Sequence, residues 1–252
     1  MPVTNLFPGA QTDEQRLRVE LAAAFRLAVL NDWHEAVANH FSLATDASGS
    51  CFLMNPKWMH FSRIRASDLL HLDAGDPGVM ERADAPDRTA WCIHGRIHAL
   101  LPQARCILHL HPVYGTALAA LADPTILPVD QTSARYFNRV AVDLTYGGMA
   151  DSDAEGERLA RALGDRRRLL MGNHGVLVVA PTVAEAFDDM YHLERACKTL
   201  MLAYATGRPL SVLPDTVAES TAQAWDDYGD AARVHFAESR LLLDARGENY
   251  AD

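Results

Sequence analysis

A chain of 252 residues, 49% hydrophobic and 22% charged, carries enough apolar material for one large globular domain or two small ones. Its formal net charge of −10 argues against binding nucleic acid through the phosphate backbone, which needs a surplus of lysine and arginine. No apolar run approaches the roughly 18 residues of a membrane span, and MPVTNLFPGAQTDEQ lacks the basic flank and apolar centre of a signal peptide. Cys51, Cys92, Cys106 and Cys197 are scattered with no C-x-x-C pair, which predicts free thiols in a reducing cytoplasm.

After a loose arm, residues 1–14, Thr12 can cap a helix through DEQRLRVELAAAFRLAVLNDW, where apolar residues recur at helical spacing. HFSLATD and SCFLMNP read as two strands joined by the turn DASGS, and SRIRASDLLHLDAG as a helical turn and a strand. DPGVMERADAPDR reads as a polar loop. A helix from Trp91 to Leu101 ends at Pro102. RCILHLH is a strand, and Pro112 opens the helix PVYGTALAALAD, where a missing N–H matters least. NRVAVDLTY is a further strand. Ser152 with Glu155, and Thr182 with Glu185, form S/T-x-x-E capping boxes before a helix to Leu163 and a long helix to Gly207. Between them LLMGNHGVLVVA reads as strand, tight turn, strand, and residues 215–244 as a helical tail. Strands and helices mixed along the whole chain predict a layered α/β domain over residues 15–210, with 211–252 as its helical extension.

Histidine is frequent, with 11 residues. His109 and His111 lie one residue apart on a strand, so their side chains share a face, and two neutral imidazoles so placed can bind a divalent cation. GNHG places His174 in a glycine-flanked turn between two apolar strands. Three histidine ligands leave open positions on zinc, manganese, iron or cobalt, the pattern of a catalytic site.

LHLHPVYGTALA (108–119) and GNHGVLVVAPTVAEAFDDMYHLERAC (172–197) match H-x-H-[SP] followed roughly sixty residues later by N-H-G-x-x-x-x-[AG]-x-[TS]-x-x-E-A. Together with NHFSLA, FLMNP and SRIRASDLLHLDAG, these segments make residues 15–205 resemble the class II aldolase/adducin family. The resemblance implies a three-layer α/β/α domain around a mixed, mostly antiparallel sheet. It also implies a homotetramer with active sites between subunits, and His109, His111 and His174 as metal ligands. Adducins keep the fold without these histidines.

The sugar-phosphate aldolases of the family open the helix before H-x-H with P-S-S-E-x-x-x-H. Here the register reads APDRTAWCIH: His94 matches, Ala90 falls where the Glu belongs, nineteen residues before His109, and Arg88 and Thr89 replace the serines. Glu81, Asp84 and Asp87 lie upstream, in the loop. His40 stands where those aldolases have an asparagine near the phosphate. An alanine moves no proton, which demotes the sugar-phosphate aldolase itself. Arg88, Thr89 and His40 remain candidates to bind substrate. His94 and Tyr114 are candidate catalytic acids, with His98 a further turn along His94's helix face. Arg135, Tyr136 and Tyr146 lie where the family can reach a neighbour's site, and His192 and Glu194 read as structural.

The expected function is a cytoplasmic, metal-dependent carbon–carbon lyase, decarboxylase or aldolase in type, with zinc as the first choice of metal. Its substrate would be a small oxygenated acid or carbonyl compound, and its chemistry a metal-stabilised enolate. A non-haem iron oxygenase on the same fold and a non-catalytic adducin-like assembly module are the alternatives.

Overall fold

Alternation along seven short strands builds the centre of the molecule. The computed structural model describes residues 12–252, so the arm expected over residues 1–14 lies largely outside the described residues. In chain order the strands are β1 (His40–Ala44), β2 (Cys51–Met54), β3 (Leu70–Asp73), β4 (Cys106–Leu110), β5 (Val140–Asp143), β6 (Arg168–Met171) and β7 (Gly175–Ala180). They pair in the order β3-β2-β1-β4-β7-β6-β5. Every pairing is antiparallel except β5 with β6.

Helices cover both faces. On one side, α1 (Asp13–Leu30), α3 (Val113–Ala119), α6 (Val183–Ala205) and α8 (Ala231–Ala245) bury Leu108, Leu110, Val176 and Val178 of β4 and β7. On the other, α2 (Arg88–Leu100) and α5 (Asp153–Leu163) bury Ile107, Leu177 and Val179. Neighbours along a strand thus go to opposite layers, as a period of two requires. The result is a mixed, mostly antiparallel sheet between two helical layers. Among the described residues no helix is long and apolar enough to cross a membrane, and all four cysteines are free.

Several boundaries differ from the sequence reading. Helix α2 starts three residues early because the Asp87 carboxylate accepts from the Thr89 and Ala90 amides and so satisfies its open N-terminus. The tail is two helices, α7 (Asp215–Asp226) and α8, separated at Gly229, whose φ is +55°. A short helix α4 (Gln131–Ala134), capped by Asp130, was not foreseen. Both capping boxes are half made. Ser152 and Thr182 accept from the third-residue amides, but Glu155 turns to the Arg158 guanidinium instead of back to the cap. The tail belongs to the main core: α8 packs on α6 and α1, and Phe236, Leu243 and Tyr250 are buried there.

Helices α2 and α5 touch through a glycine. A Cβ on Gly156 would run into the Cys92 carbonyl of α2, and backbone cannot swing aside. Gly156→Ala is therefore expected to destabilise the fold by about 1–3 kcal/mol despite alanine's better helix propensity. Thermal unfolding followed by circular dichroism checks this; an unchanged or raised Tm would show that the two helices separate freely.

Candidate metal centre

The site grows from one strand register. Antiparallel pairing of β1 with β4 sets His40 directly opposite His109 and Ser42 opposite Ile107, all on the α2 face. Beyond the end of β4, His111 continues the alternation. The hairpin between β6 and β7 delivers the third imidazole: Asn173 takes the left-handed conformation, φ +56°, which asparagine tolerates, and His174 swings in. The flanking glycines do not supply the turn's positive φ. They are required by close approach. A Cβ on Gly172 would lie 2.9 Å from the Leu144 Cα, and one on Gly175 would lie 2.5 Å from the Leu110 carbonyl oxygen and 2.6 Å from His111 Cδ2.

His109, His111 and His174 converge with ring centroids 4.7–5.0 Å apart, and one nitrogen from each lies within 4.8 Å of the others. His109 Nδ1–H donates to the Val176 carbonyl at 3.0 Å, which leaves its Nε2 bare. His111 Nδ1 faces the Glu35 carboxylate at 2.5 Å, and its Nε2 stands 3.2 Å from His109 Nε2. With a proton on each Nδ1, two lone pairs face one another. That arrangement is repulsive in isolation and is relieved by a cation between them. Bonds of about 2.0–2.1 Å at a tetrahedral angle place ligand nitrogens about 3.3 Å apart, so the donor set fits a divalent ion. Burial, and then the neighbouring imidazoles, hold the His109 pKa well below its usual range. Burial and His111 lower that of His174 to about 4. Both rings are neutral near pH 7.

Behind the triad runs a buried hydrogen-bonded chain. His98 Nδ1–H donates to the Ala104 carbonyl at 2.8 Å. Burial lowers the His98 pKa to about 4, so the ring is neutral and its Nε2 must accept, from Ser42 Oγ at 2.7 Å. Ser42 in turn accepts from His94 Nδ1–H at 2.6 Å. His94 Nε2 is then an acceptor and takes the His40 Nδ1–H at 2.8 Å. One backbone carbonyl thereby fixes four side chains and leaves His40 with a bare Nε2, its ring 4.9 Å from that of His109. Burial lowers the His40 pKa to about 3, against an opposing pull from Asp87.

The structure sorts the sequence candidates. His40 sits against the triad. His94 is fully buried with both ring nitrogens engaged, so its route to a substrate is through His40. Ala90 is buried. Thr89 donates its hydroxyl to Asp87 (2.6 Å) and exposed Arg88 donates to the Asp151 carbonyl (2.9 Å); neither contacts the triad. The Tyr114 ring lies beneath the Lys198 ammonium (5.3 Å) in a cleft with Trp33 and Tyr191, outside the triad. Arg135 and Tyr136 are tied to Asp188 and Asp189, whereas exposed Tyr146 lies 6.2 Å from the His174 ring. Glu194 accepts from the Tyr114 and Gly115 amides and caps α3, a structural role.

Two carboxylates were missed. Glu35, in the loop after α1, reaches His111 across 76 residues of sequence, and nothing local marks it. Asp87 was placed in a loop, but its position three residues before Ala90 is an N-cap signal, and its charge acts on His40.

His98 titrates near 4 in the folded chain and near 6.5 when unfolded. Between those values the unfolded chain binds more protons, so this contribution is complete above pH 6.5 and is lost as pH falls towards 4. In chelator-treated protein, His98→Gln is expected to lose about 1–2 kcal/mol less than wild type between pH 7.5 and pH 5. Urea unfolding at the two values measures it; parallel losses would refute the assignment.

The family model for the Class II Aldolase and Adducin N-terminal domain matches residues 19–201. A Caulobacter vibrioides protein assigned provisionally to aldolase class 2 is 32% identical over 100% of this chain and 98% of its own. The decarboxylase NovR of Streptomyces niveus is 28% identical over 84% of this chain and 81% of its own. Human beta-adducin is 29% identical over 77% of this chain, which spans only 27% of that protein. The crystal structure of an aldolase II superfamily protein from Pseudomonas syringae superposes with a TM-score of 0.87 at 30% identity, covering 96% of this chain and 98% of the other. With fold, histidines and relatives in agreement, this chain belongs to the class II aldolase and adducin family.

Proposed function

We propose that the protein is a metal-dependent carbon–carbon lyase acting on a small oxygenated acid or carbonyl compound, with decarboxylation favoured over aldol cleavage. The observation that carries this reading is the triad, three imidazoles with one nitrogen each gathered within 4.8 Å of the others, beside the bare Nε2 of His40. His109, His111 and His174 would hold the ion, zinc by preference. Bound there, a divalent ion supplies a Lewis acid for the negative charge that develops on a substrate oxygen as a carbon–carbon bond breaks.

The chain supplies the rest. Glu35 orients His111 and keeps its proton on Nδ1, as carboxylate partners of metal-binding histidines do. His40 Nε2 can take or return one proton at the substrate. Its Nδ1 proton then shifts along His94 and Ser42 to His98, which would move the positive charge away from the ion. Alanine at position 90 leaves no carboxylate to deprotonate a sugar hydroxyl, and loss of carbon dioxide needs only a proton at the end. The decarboxylase relative supports the same direction, and the retained triad speaks against an adducin-like assembly role. The exposed apolar side chains Val142, Leu144, Tyr146 and Met149, along the β5 edge beside His174, suit burial between subunits of a homotetramer. Free thiols suit a cytoplasmic location.

His174→Ala is expected to lose the bound ion by elemental analysis and to lose lyase activity with it; an unchanged metal content would defeat the assignment. Glu35→Ala should retain the ion at about 10- to 100-fold lower affinity, read by competition with a chelating dye. Screened against small hydroxy- and keto-acids, the metal-loaded protein should release carbon dioxide or an aldehyde equally well without oxygen. Oxygen uptake coupled to turnover would instead make it an oxygenase.

A further inference from the structure

A second group of ligating side chains lies on the α6–α8 side of the molecule, with no contact to the triad among the described residues. Asp188 and His192 stand one turn apart on α6, and His235 reaches them from α8. His235 Nδ1 lies 2.8 Å from Asp188 Oδ1, while His192 Nδ1 bonds the Asp188 main-chain carbonyl at 2.8 Å and stands 3.4 Å from the same Oδ1. The three donor atoms fall within 4.8 Å of one another.

We propose that Asp188, His192 and His235 form a second divalent-cation site, selective for a borderline ion such as zinc, cobalt or nickel, that fastens α8 to α6.

The spacing is that of a helical chelate. Residues i and i+4 lie on one helix face, and a third ligand from another element closes a three-donor set. Separations of 2.8 and 3.4 Å bracket the roughly 3.3 Å between ligands about 2.0–2.1 Å from a tetrahedral ion. Two imidazoles and one carboxylate suit zinc and its neighbours rather than calcium or magnesium, which take all-oxygen shells.

The surroundings fit as well. Asp188 is 4% exposed. Burial pushes its pKa up, but the two imidazoles and the Arg135 charge hold it well below the usual carboxylate range, so the carboxylate is ionised. Arg135 bonds the other oxygen, Oδ2, at 2.9 Å and orients the carboxylate so that Oδ1 faces the imidazoles, the second-layer support that metal carboxylates commonly have. The His192 and His235 side chains retain 18% and 28% exposure, which gives an ion a path in and leaves room for water at the fourth position. Trp225 and Tyr191 pack on the two rings and limit their swing. To ligate, each Nδ1 gives up its hydrogen bond and its ring takes the tautomer protonated at Nε2; in a neutral imidazole this exchanges a proton between nitrogens and releases none.

The test counts ions on the full chain. Protein stripped with chelator and dialysed against zinc is expected to hold two ions per chain. His174→Ala should hold one, at this site, and in that background zinc should raise Tm. Adding His192→Ala and His235→Ala should leave none and abolish the zinc-induced rise, with far-ultraviolet circular dichroism confirming the fold. His192→Gln alone should weaken the second site at least tenfold. A single ion per chain that His174→Ala abolishes would overturn the proposal and show that these residues are only a hydrogen-bonded clamp. Two ions retained after His192→Ala and His235→Ala would overturn it also. Failure of the triad would look different, as His174→Ala leaving the count unchanged.

Discussion

The register between β1 and β4 is the constraint on which the rest depends. A slip of one residue would send His40 and Ser42 to the opposite layer, beside Phe25 of α1 and Phe61, because successive strand side chains point to opposite faces. Phe41 and Leu43, the intervening residues, are buried in the α1–α6 layer, and their packing there holds the register. Apolar burial on one face thus fixes imidazole placement on the other. The chemistry is positioned by hydrophobic residues that never touch it.

A row of buried imidazoles is tolerable because each has one assignable proton. Unsatisfied polar groups in a low-dielectric interior carry a heavy penalty, and networks such as this one are stabilising only when every member is matched. The chain from Ala104 to His40 meets that condition: His98, Ser42 and His94 each donate one hydrogen bond and accept one. Ser42 joins the two histidines of α2 by accepting from His94 Nδ1–H and donating to His98 Nε2. Remove it and the two histidines of α2 lose the link that makes them one unit. The helix itself is anchored from its other end by Asp87, so a capping carboxylate and a backbone carbonyl bracket the whole assembly.

Much of this was legible from the residues. The three-histidine set could be read because its members sit at motif spacings on strand and turn, where local geometry decides direction. The element order followed largely from periodicity, and the departures were local: Asp87 extended α2, the Asp130 cap set up the unforeseen α4, Gly229 divided the tail, and Arg158 drew Glu155 from its cap. The roles of single residues were less legible. His94 stands one helical turn beyond the position of the motif glutamate, at Ala90, but is sealed behind His40, a fact set by helix docking and invisible along the chain. Glu35 and His111 meet only because the loop after α1 folds over the end of β4. The cluster at Asp188 shows its i, i+4 half in the sequence, while the half from α8 depends on where a tail comes to rest.

Gly175 has a consequence for how such a chain can diverge. The space its missing side chain leaves is occupied by the His111 ring and the Leu110 carbonyl, so the glycine and the histidine hold each other in place. Any side chain at position 175 would meet both groups, and loss of the His111 ring alone would not free the position, because the Leu110 carbonyl would still block it.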